Sequence, residues 1–382
     1  MKIAIFGGTF DPLHNEHRRV CEHVLSELKP DRLFVMPAKL PPHKRRGEVT
    51  RARDRFRMAE LGLGDLPDTE ISDFELGQKG PSYTYKTLGR FKREHPDDEL
   101  YFVIGGDSLR DFFSWRNPKR IAALATLVVA RRKGAGNLSR AVKNFEKRTG
   151  KSPVLLHYAG SDLSSTELKV LIAYGVDVSD WAPAPVLEYI KRRKLYRERK
   201  AFIRKTAEFL TERRYRHTAF TVAEALLLAR RAGADPEKAF TAAALHDVAK
   251  KMTDEELAAL GFSRDPETPD PVVHAFAGAF VAEKCFGVTD PEILDAIRYH
   301  TTGRPNMTQL EKVIYTADCI EKSRVYEGVG ALRRAVEYGF ENGFVACLKG
   351  TMQLLEKENR AAVSELTAEA YEYYRKKQGE KQ

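Results

Sequence analysis

The residues best suited to chemistry in this 382-residue chain fall into two groups. The first is Gly7-Gly8-Thr9-Phe10-Asp11-Pro12-Leu13-His14-Asn15-Glu16-His17, where two glycines close an apolar run and two histidines stand three apart. Glycines permit a tight turn and close backbone approach to a phosphate. A helix beginning near Asn15 would present free N–H groups and a positive dipole end to an anion. His14 and His17 can share one face there and donate hydrogen bonds to a phosphoryl group as charge develops on it. Three more polar segments follow strand-like stretches: Pro41-Pro42-His43-Lys44, Ile104-Gly105-Gly106-Asp107-Ser108 and Leu163-Ser164-Ser165-Thr166-Glu167-Leu168-Lys169. The last is a hydroxyl-rich helix start, able to cap and to hold phosphate oxygens.

The second group is His217, the pair His246-Asp247, His274, His300 and Asp318. His246-Asp247 ends the apolar run Ala239–Leu245, and Asp318 lies within Val313–Ile320. Burying such groups is costly unless they bind something. Imidazole with carboxylate suits Fe, Mn, Zn or Mg, and a histidine-rich set favours the transition metals. Read as one helix over Pro236–Lys250, the segment places Lys250 on the face of His246, where it could neutralise polyphosphate charge.

The elements that must position these groups differ between the halves. Lys2–Gly8, Asp31–Ala38, Glu70–Leu76, Leu100–Gly105, Thr126–Arg131 and Val154–Tyr158 read as strands, alternating with helices such as Glu16–Leu28, Arg51–Leu61, Tyr83–Glu94 and Thr166–Tyr174. That alternation predicts an α/β domain with a parallel sheet covered on both faces, whose ligands bind at the carboxyl ends of the strands. After the basic run Lys191–Lys200 only helices are expected, so we divide the chain into 1–195 and 196–382. The first 200 residues hold 38 basic and 26 acidic residues and the rest 26 and 28, so the net +10 comes from the half with the phosphate-like turns. A basic half attracts phosphates. No aromatic-interleaved basic motif favours nucleic acid. No stretch approaches the ~20 apolar residues of a membrane span, the N-terminus lacks a signal-peptide core, and four scattered cysteines suggest neither disulfides nor a thiolate zinc site. A cytoplasmic protein is expected.

The GGTFDPLHxxH turn, PPHK, Gly80-Pro81-Ser82-Tyr83-Thr84, IGGDSL with Trp115 downstream, and SSTELK together resemble bacterial nicotinate-nucleotide adenylyltransferase, over roughly residues 1–195. The resemblance implies a Rossmann-like nucleotidyltransferase fold that joins ATP and nicotinate mononucleotide, with Mg²⁺ accompanying the triphosphate. Gly7, Gly8, Thr9 and Phe10 would form the nucleotide turn, and His14 and His17 would stabilise the α-phosphoryl group. Lys44 would hold phosphate, Ser164, Ser165, Thr166 and Lys169 the ATP phosphates, and Asp107 the sugar. Tyr83, Thr84 and Trp115 would surround the nicotinate ring. Two positions depart from the family pattern. Glu16 replaces the glycine of HxGH, and its carboxylate and Cβ are expected to hinder the nucleotide. Lys169 replaces an arginine, keeping charge but losing bidentate geometry.

Arg216-His217-Thr218, Leu245-His246-Asp247, His274, His300-Thr301-Thr302-Gly303 and Ala317-Asp318-Cys319-Ile320-Glu321 with Arg324 resemble the all-α HD-domain phosphohydrolases. Within these they are closest to enzymes that cleave diadenosine tetraphosphate symmetrically. By that resemblance His217, His246, Asp247 and Asp318 hold one divalent metal and His274 and His300 a second, with Asp247 able to bridge; iron is favoured over manganese or magnesium. Asp247 and Lys250 would be catalytic and Arg324 would meet the polyphosphate. The expected partners are ATP, nicotinate mononucleotide and diadenosine tetraphosphate, with no membrane and no nucleic acid; a homodimer is left open. The alternative keeps the hydrolase and makes the first half a regulatory nucleotide-binding module.

Overall fold

A computed structural model describes residues 1–41, 49–78, 80–132, 138–161, 163–357 and 361–379. Lys44, and with it His43, lies outside the described residues. The chain divides into two compact units, Met1–Leu168 with Val178–Leu195, and Lys169–Asp177 with Tyr196–Gln382. The short segment Lys169–Asp177, assigned by sequence to the first domain, counts with the second unit.

The first unit is built on a six-stranded sheet of parallel pairs in the order β3-β2-β1-β4-β5-β6. Its strands are β1 (Lys2–Gly8), β2 (Arg32–Pro37), β3 (Thr69–Ile71), β4 (Glu99–Gly105), β5 (Thr126–Arg132) and β6 (Val154–Gly160). Ile3, Ile5, Phe34, Met36, Leu100, Phe102 and Ile104 join one core cluster. The alternate residues Ala4, Phe6, Leu33, Val35 and Val103 are buried as well, on the opposite face by the period of two. The helices are α1 (Asn15–His23), α2 (Ala52–Leu63), α3 (Thr84–Glu94), α4 (Gly106–Arg110), α5 (Pro118–Leu124), α6 (Ser139–Thr149), α7 (Ser165–Tyr174) and α8 (Ala184–Arg193). The chain runs from β1 outward through β2 and β3, then returns to place β4 on the other side of β1. That reversal opens a crevice at the strand ends.

One strand is shorter than expected: β3 stops at Ile71 rather than running to Leu76. The Ser72 hydroxyl accepts from the Phe74 N–H at 3.3 Å, and the Leu76 N–H donates to Asp73 O at 2.8 Å. These local bonds compete with the ladder and turn Glu75 inward, where it accepts from the Thr87 hydroxyl at 2.6 Å.

The second unit is helical: α9 (Lys200–Glu208), α10 (Glu212–Ala232), α11 (Pro236–Leu245), α12 (Asp254–Ala259), α13 (Asp270–Phe286), α14 (Pro291–Arg298), α15 (Gln309–Ile320), α16 (Val329–Tyr338), α17 (Phe340–Lys357) and α18 (Ala361–Gly379). Thr211, Asp235, Thr253, Asp290 and Thr308 cap the starts of α10, α11, α12, α14 and α15, satisfying otherwise orphaned N–H groups. Small buried residues (Ala219, Ala223 and Ala225 on α10, Ala242 to Ala244 on α11) let these helices approach closely around the histidines. Among the described residues no helix is long and apolar enough to cross a membrane.

The expected helix over Pro236–Lys250 ends at Leu245, before His246. His246 Nδ1 lies 2.7 Å from Ala243 O, and that carbonyl belongs to the last turn of the helix. The chain continues as tight turns in which Val248 N bonds Leu245 O and Lys250 N bonds Asp247 O. Lys250 therefore does not reach the site along a helical face.

Candidate nucleotide cleft and metal centre

A cleft of about 740 Å³ opens where the strand order reverses, lined by Ile5, Gly7, Met36 and Phe102 from the sheet. Gly7, Gly8, Thr9, Tyr83, Thr84, Asp107 and Trp115, separate in sequence, all line it. Trp115 is held against Phe102 and Phe112. Tyr83 immediately precedes α3, whose first residue is Thr84, so a helix start with its favourable field for anions meets the cleft. Asp107 is partnered by Arg110 Nη1 at 2.8 Å. Glu75 also lines the cleft, and burial pushes its carboxyl up from the usual value against the hydrogen bonds of Thr87 and Ser82.

The histidine turn adjoins rather than lines this cleft. His14 is buried and its ring stacks on His17, centroids 3.7 Å apart. The His14 backbone N–H donates to His17 Nδ1 at 3.2 Å. An accepting Nδ1 leaves the proton on Nε2, so the half-exposed His17 is set as a hydrogen-bond donor. Phe10 is buried with its ring edge-on to Phe6 and to His17; its side chain supports the turn instead of facing the cleft. Ser165 Oγ donates to Pro12 O at 3.1 Å, and Ser164 Oγ accepts from the Glu167 N–H at 3.1 Å, capping α7 beside the turn; Thr166, half-buried, follows in its first turn. The Lys169 ammonium lies over the Tyr196 ring, 5.4 Å from the centroid, in the second unit.

Glu16 corrects an expectation. Its carboxylate does not point at the nucleotide cleft; it is buried, accepting from the Tyr158 hydroxyl, from the Ser161 N–H at 2.8 Å and from Arg19 at 2.6 Å. Sequence reasoning also missed Arg55. Fully buried on α2, it donates to Thr50 O, Thr9 O and Lys39 O at 2.8 to 2.9 Å. One guanidinium, a rigid fork of five donors, thus ties the loops after β1 and β2. The available signal was an arginine on the face of α2 shared with Met58 and Ala59.

In the second unit all six expected ligands converge. Asp247 Oδ2 lies 3.9 Å from His217 Nε2 and 3.6 Å from His246 Nε2, while Oδ1 lies 3.4 Å from His274 Nε2 and 3.8 Å from His300 Nε2. Asp318 Oδ1 is 2.9 Å from His217 Nε2 and 3.7 Å from His246 Nε2. Two sets, His217-His246-Asp318 and His246-Asp247-His300, have the geometry to hold metal ions. His246 Nδ1 and His300 Nδ1 sit 2.7 Å from the carbonyls of Ala243 and Ile297. A carbonyl only accepts, so each Nδ1 carries the proton and each Nε2 presents a lone pair inward, the tautomer a metal requires. His217 Nδ1 is held 3.0 Å from the fully buried Glu321, a carboxylate–histidine arrangement typical behind a metal ligand. The donor set therefore fits two divalent ions.

Burial holds His246 down to about 4, and burial with His300 and Lys250 nearby holds His274 down to about 2, so both rings are neutral at pH 7. His217 goes the other way: burial lowers it, but hydrogen bonds to Asp318 and Glu321 outweigh that and raise it to about 9. Two guanidinium groups pair with the carboxylates, Arg214 Nη1 at 2.7 Å from Asp247 and Arg324 Nη2 at 2.5 Å from Asp318, and Lys250 Nζ lies 2.9 Å from His274 Nδ1. Arg214 and Thr301, whose hydroxyl is 3.1 Å from His300 Nε2, were not foreseen. Arg214 stands three residues before His217 on α10, a spacing that could have revealed it.

Residues 5–170 match the cytidylyltransferase-like family model, and residues 214–323 match the HD domain model. The chain is 30% identical over 330 residues to a Mycoplasma genitalium protein named "Probable nicotinate-nucleotide adenylyltransferase/Ap4A hydrolase", covering 85% of this chain and 89% of that one. It is 37% identical to the "Probable nicotinate-nucleotide adenylyltransferase" of Clostridium tetani, covering 51% of this chain and 99% of that one. A crystal structure from Clostridium acetobutylicum, described as a "predicted HD superfamily hydrolase involved in NAD metabolism", aligns at 31% identity and TM-score 0.41 over 46% of this chain and 97% of that one. With both sites assembled in order along one chain, this protein belongs to the family that fuses a nicotinate-nucleotide adenylyltransferase domain to an HD-superfamily hydrolase domain.

Proposed function

We propose that the first unit transfers AMP from Mg²⁺-ATP to nicotinate mononucleotide, and that the second hydrolyses diadenosine tetraphosphate to two ADP. The observation that carries the hydrolase is Asp247, whose two oxygens face two different histidine pairs. Two divalent ions, iron favoured and manganese or magnesium the alternatives, would polarise a phosphoryl oxygen and activate water there. His217, His246, Asp247 and Asp318 would hold one ion, and His274, His300 and Asp247 the other. Arg214, Lys250 and Arg324 would compensate the polyphosphate charge, and the central P–O–P bridge would break so that each product keeps two phosphates.

In the first unit a phosphate oxygen of the mononucleotide attacks the α-phosphorus of ATP, the bond to the bridging oxygen breaks, and pyrophosphate leaves. This chemistry asks for positioning and charge stabilisation. His17, whose Nε2 carries the proton, and His14 serve the α-phosphoryl group; Gly7, Gly8, Thr9 and the start of α7 take phosphates, with Lys44 assisting. Asp107 meets the sugar, and Tyr83, Thr84 and Trp115 take the ring. The anion-favouring start of α3 supports nicotinate over nicotinamide. The burial of Glu16 removes the main reason for demoting this half to a regulatory module.

The test is purified protein with ATP plus either mononucleotide, and separately with diadenosine tetraphosphate, products resolved by chromatography. Nicotinate adenine dinucleotide and ADP are expected. No dinucleotide from either mononucleotide would overturn the transferase, and AMP plus ATP in the second assay would overturn symmetric cleavage.

A further inference from the structure

We infer that Glu16 is a positioning residue for adenylyl transfer, tying the histidine turn to the phosphate-binding start of α7; the inference rests on the transferase reading of the first unit. Glu16 occupies the second position of α1, where the helix field stabilises a carboxylate. It is 5% exposed, and both oxygens are used. One accepts from Arg19 at 2.6 Å, and the other accepts from the Tyr158 hydroxyl and the Ser161 N–H at 2.8 Å. Tyr158 lies on β6, and Ser161 is the residue immediately after it.

The position of these partners gives the contact its consequence. One residue after Glu16 stands His17, and three residues after Ser161 stands Ser164, which caps α7 through the Glu167 N–H. Ser161 Oγ also accepts from the Leu163 N–H at 3.3 Å, a second contact between the end of β6 and the approach to α7. A second tie, Ser165 Oγ to Pro12 O at 3.1 Å, closes the pair of elements from the other side. The two groups that must meet one triphosphate, an imidazole and a hydroxyl-rich helix start, are thereby fixed relative to each other. Transfer that depends on alignment loses about 10²-fold for an error on the order of 1 Å.

The chain also makes room for this carboxylate. A Cβ at Gly160 would overlap the Tyr158 hydroxyl and the Glu16 carboxylate. The glycine missing at position 16 has, in effect, a counterpart at position 160. Glu16 and Gly160 form a matched pair, and restoring glycine at 16 alone leaves Tyr158 and the Ser161 N–H without their shared acceptor.

The experiment compares steady-state transfer from ATP to nicotinate mononucleotide in the parent, Glu16→Gly, Glu16→Gln and Tyr158→Phe. We expect Glu16→Gly to lower kcat about 10- to 100-fold while the ATP KM changes less than about threefold. Glu16→Gln, which still offers an oxygen to Tyr158 and Ser161, should recover most of that loss. Tyr158→Phe should lower kcat by a smaller factor, and combined with Glu16→Gly should add nothing. A variant that merely lost stability would show a reduced active fraction by titration and no change in kcat per active site. If Glu16→Gly does not fold, Tyr158→Phe decides by the same split. Glu16→Gly at or above the parent kcat overturns the inference alone. A parent without transfer overturns the transferase reading and the inference with it.

Discussion

The two sites use opposite strategies for gathering polar groups. In the first unit they sit on loops at the ends of β1 and β4 and at the starts of α3 and α7, and each brings a short contiguous motif. In the second unit six candidate ligands come one or two at a time from α10, the end of α11, α13, the end of α14 and α15. The loop site divides its work among many hydrogen-bond donors, so each loss is partial. The helical site turns the two oxygens of one carboxylate, Asp247, to two histidine pairs, so a single substitution there is expected to act on both.

The sharpest break of that comparison is Asp247→Ala. Both histidine pairs lose their shared oxygens, so metal content measured by mass spectrometry should fall toward zero and hydrolysis toward background. Full activity in metal-free protein would sink the centre. Next comes His17→Ala, expected to slow transfer by about 10²–10³-fold, the scale of losing one preorganised donor at a developing charge. An unchanged rate would mean that the Nε2–H of His17 meets no phosphoryl group.

Glu321→Gln tests whether the helical site depends on what stands behind its ligands. Weaker orientation of His217 should cost about 10- to 100-fold in metal affinity or hydrolysis, read by metal titration, with transfer untouched. The smallest effect concerns the scaffold of the loop site. Arg55→Met removes the partner of three loop carbonyls and should destabilise the first unit by about 1–3 kcal/mol. The two tryptophans, Trp115 and Trp181, both belong to that unit, so denaturant unfolding followed by tryptophan fluorescence isolates it. An unmoved midpoint would show that the three carbonyls find other partners.

Most of the architecture was legible because it rests on local patterns. Strands of alternating or continuous apolar residues, cap residues such as Thr211, Asp235 and Thr308, and the glycine pair after β1 are all readable along the chain. β3 was overextended because the Ser72 hydroxyl and the Asp73 carbonyl redirect a segment whose composition still suits a strand. The helix through His246 was overextended for a related reason: an imidazole bonded to Ala243 O marks the end of α11 in a run of helix-favouring residues.

The sequence by itself determined most of the candidate groups for the chemistry and their order, since residue type and spacing decide what can bind metal or phosphate. Only the tertiary structure decided where each group points. It turned Glu16 into a pocket left by Gly160, set the Lys169 ammonium over Tyr196, and placed Arg55 beneath two loops and Arg214 on Asp247. Each of these outcomes depends on a partner tens to more than a hundred residues away, or on a carboxylate finding enough donors to be buried. Local periodicity carries no information about such partners, because a charged side chain takes its place from the donors and acceptors that folding brings to it.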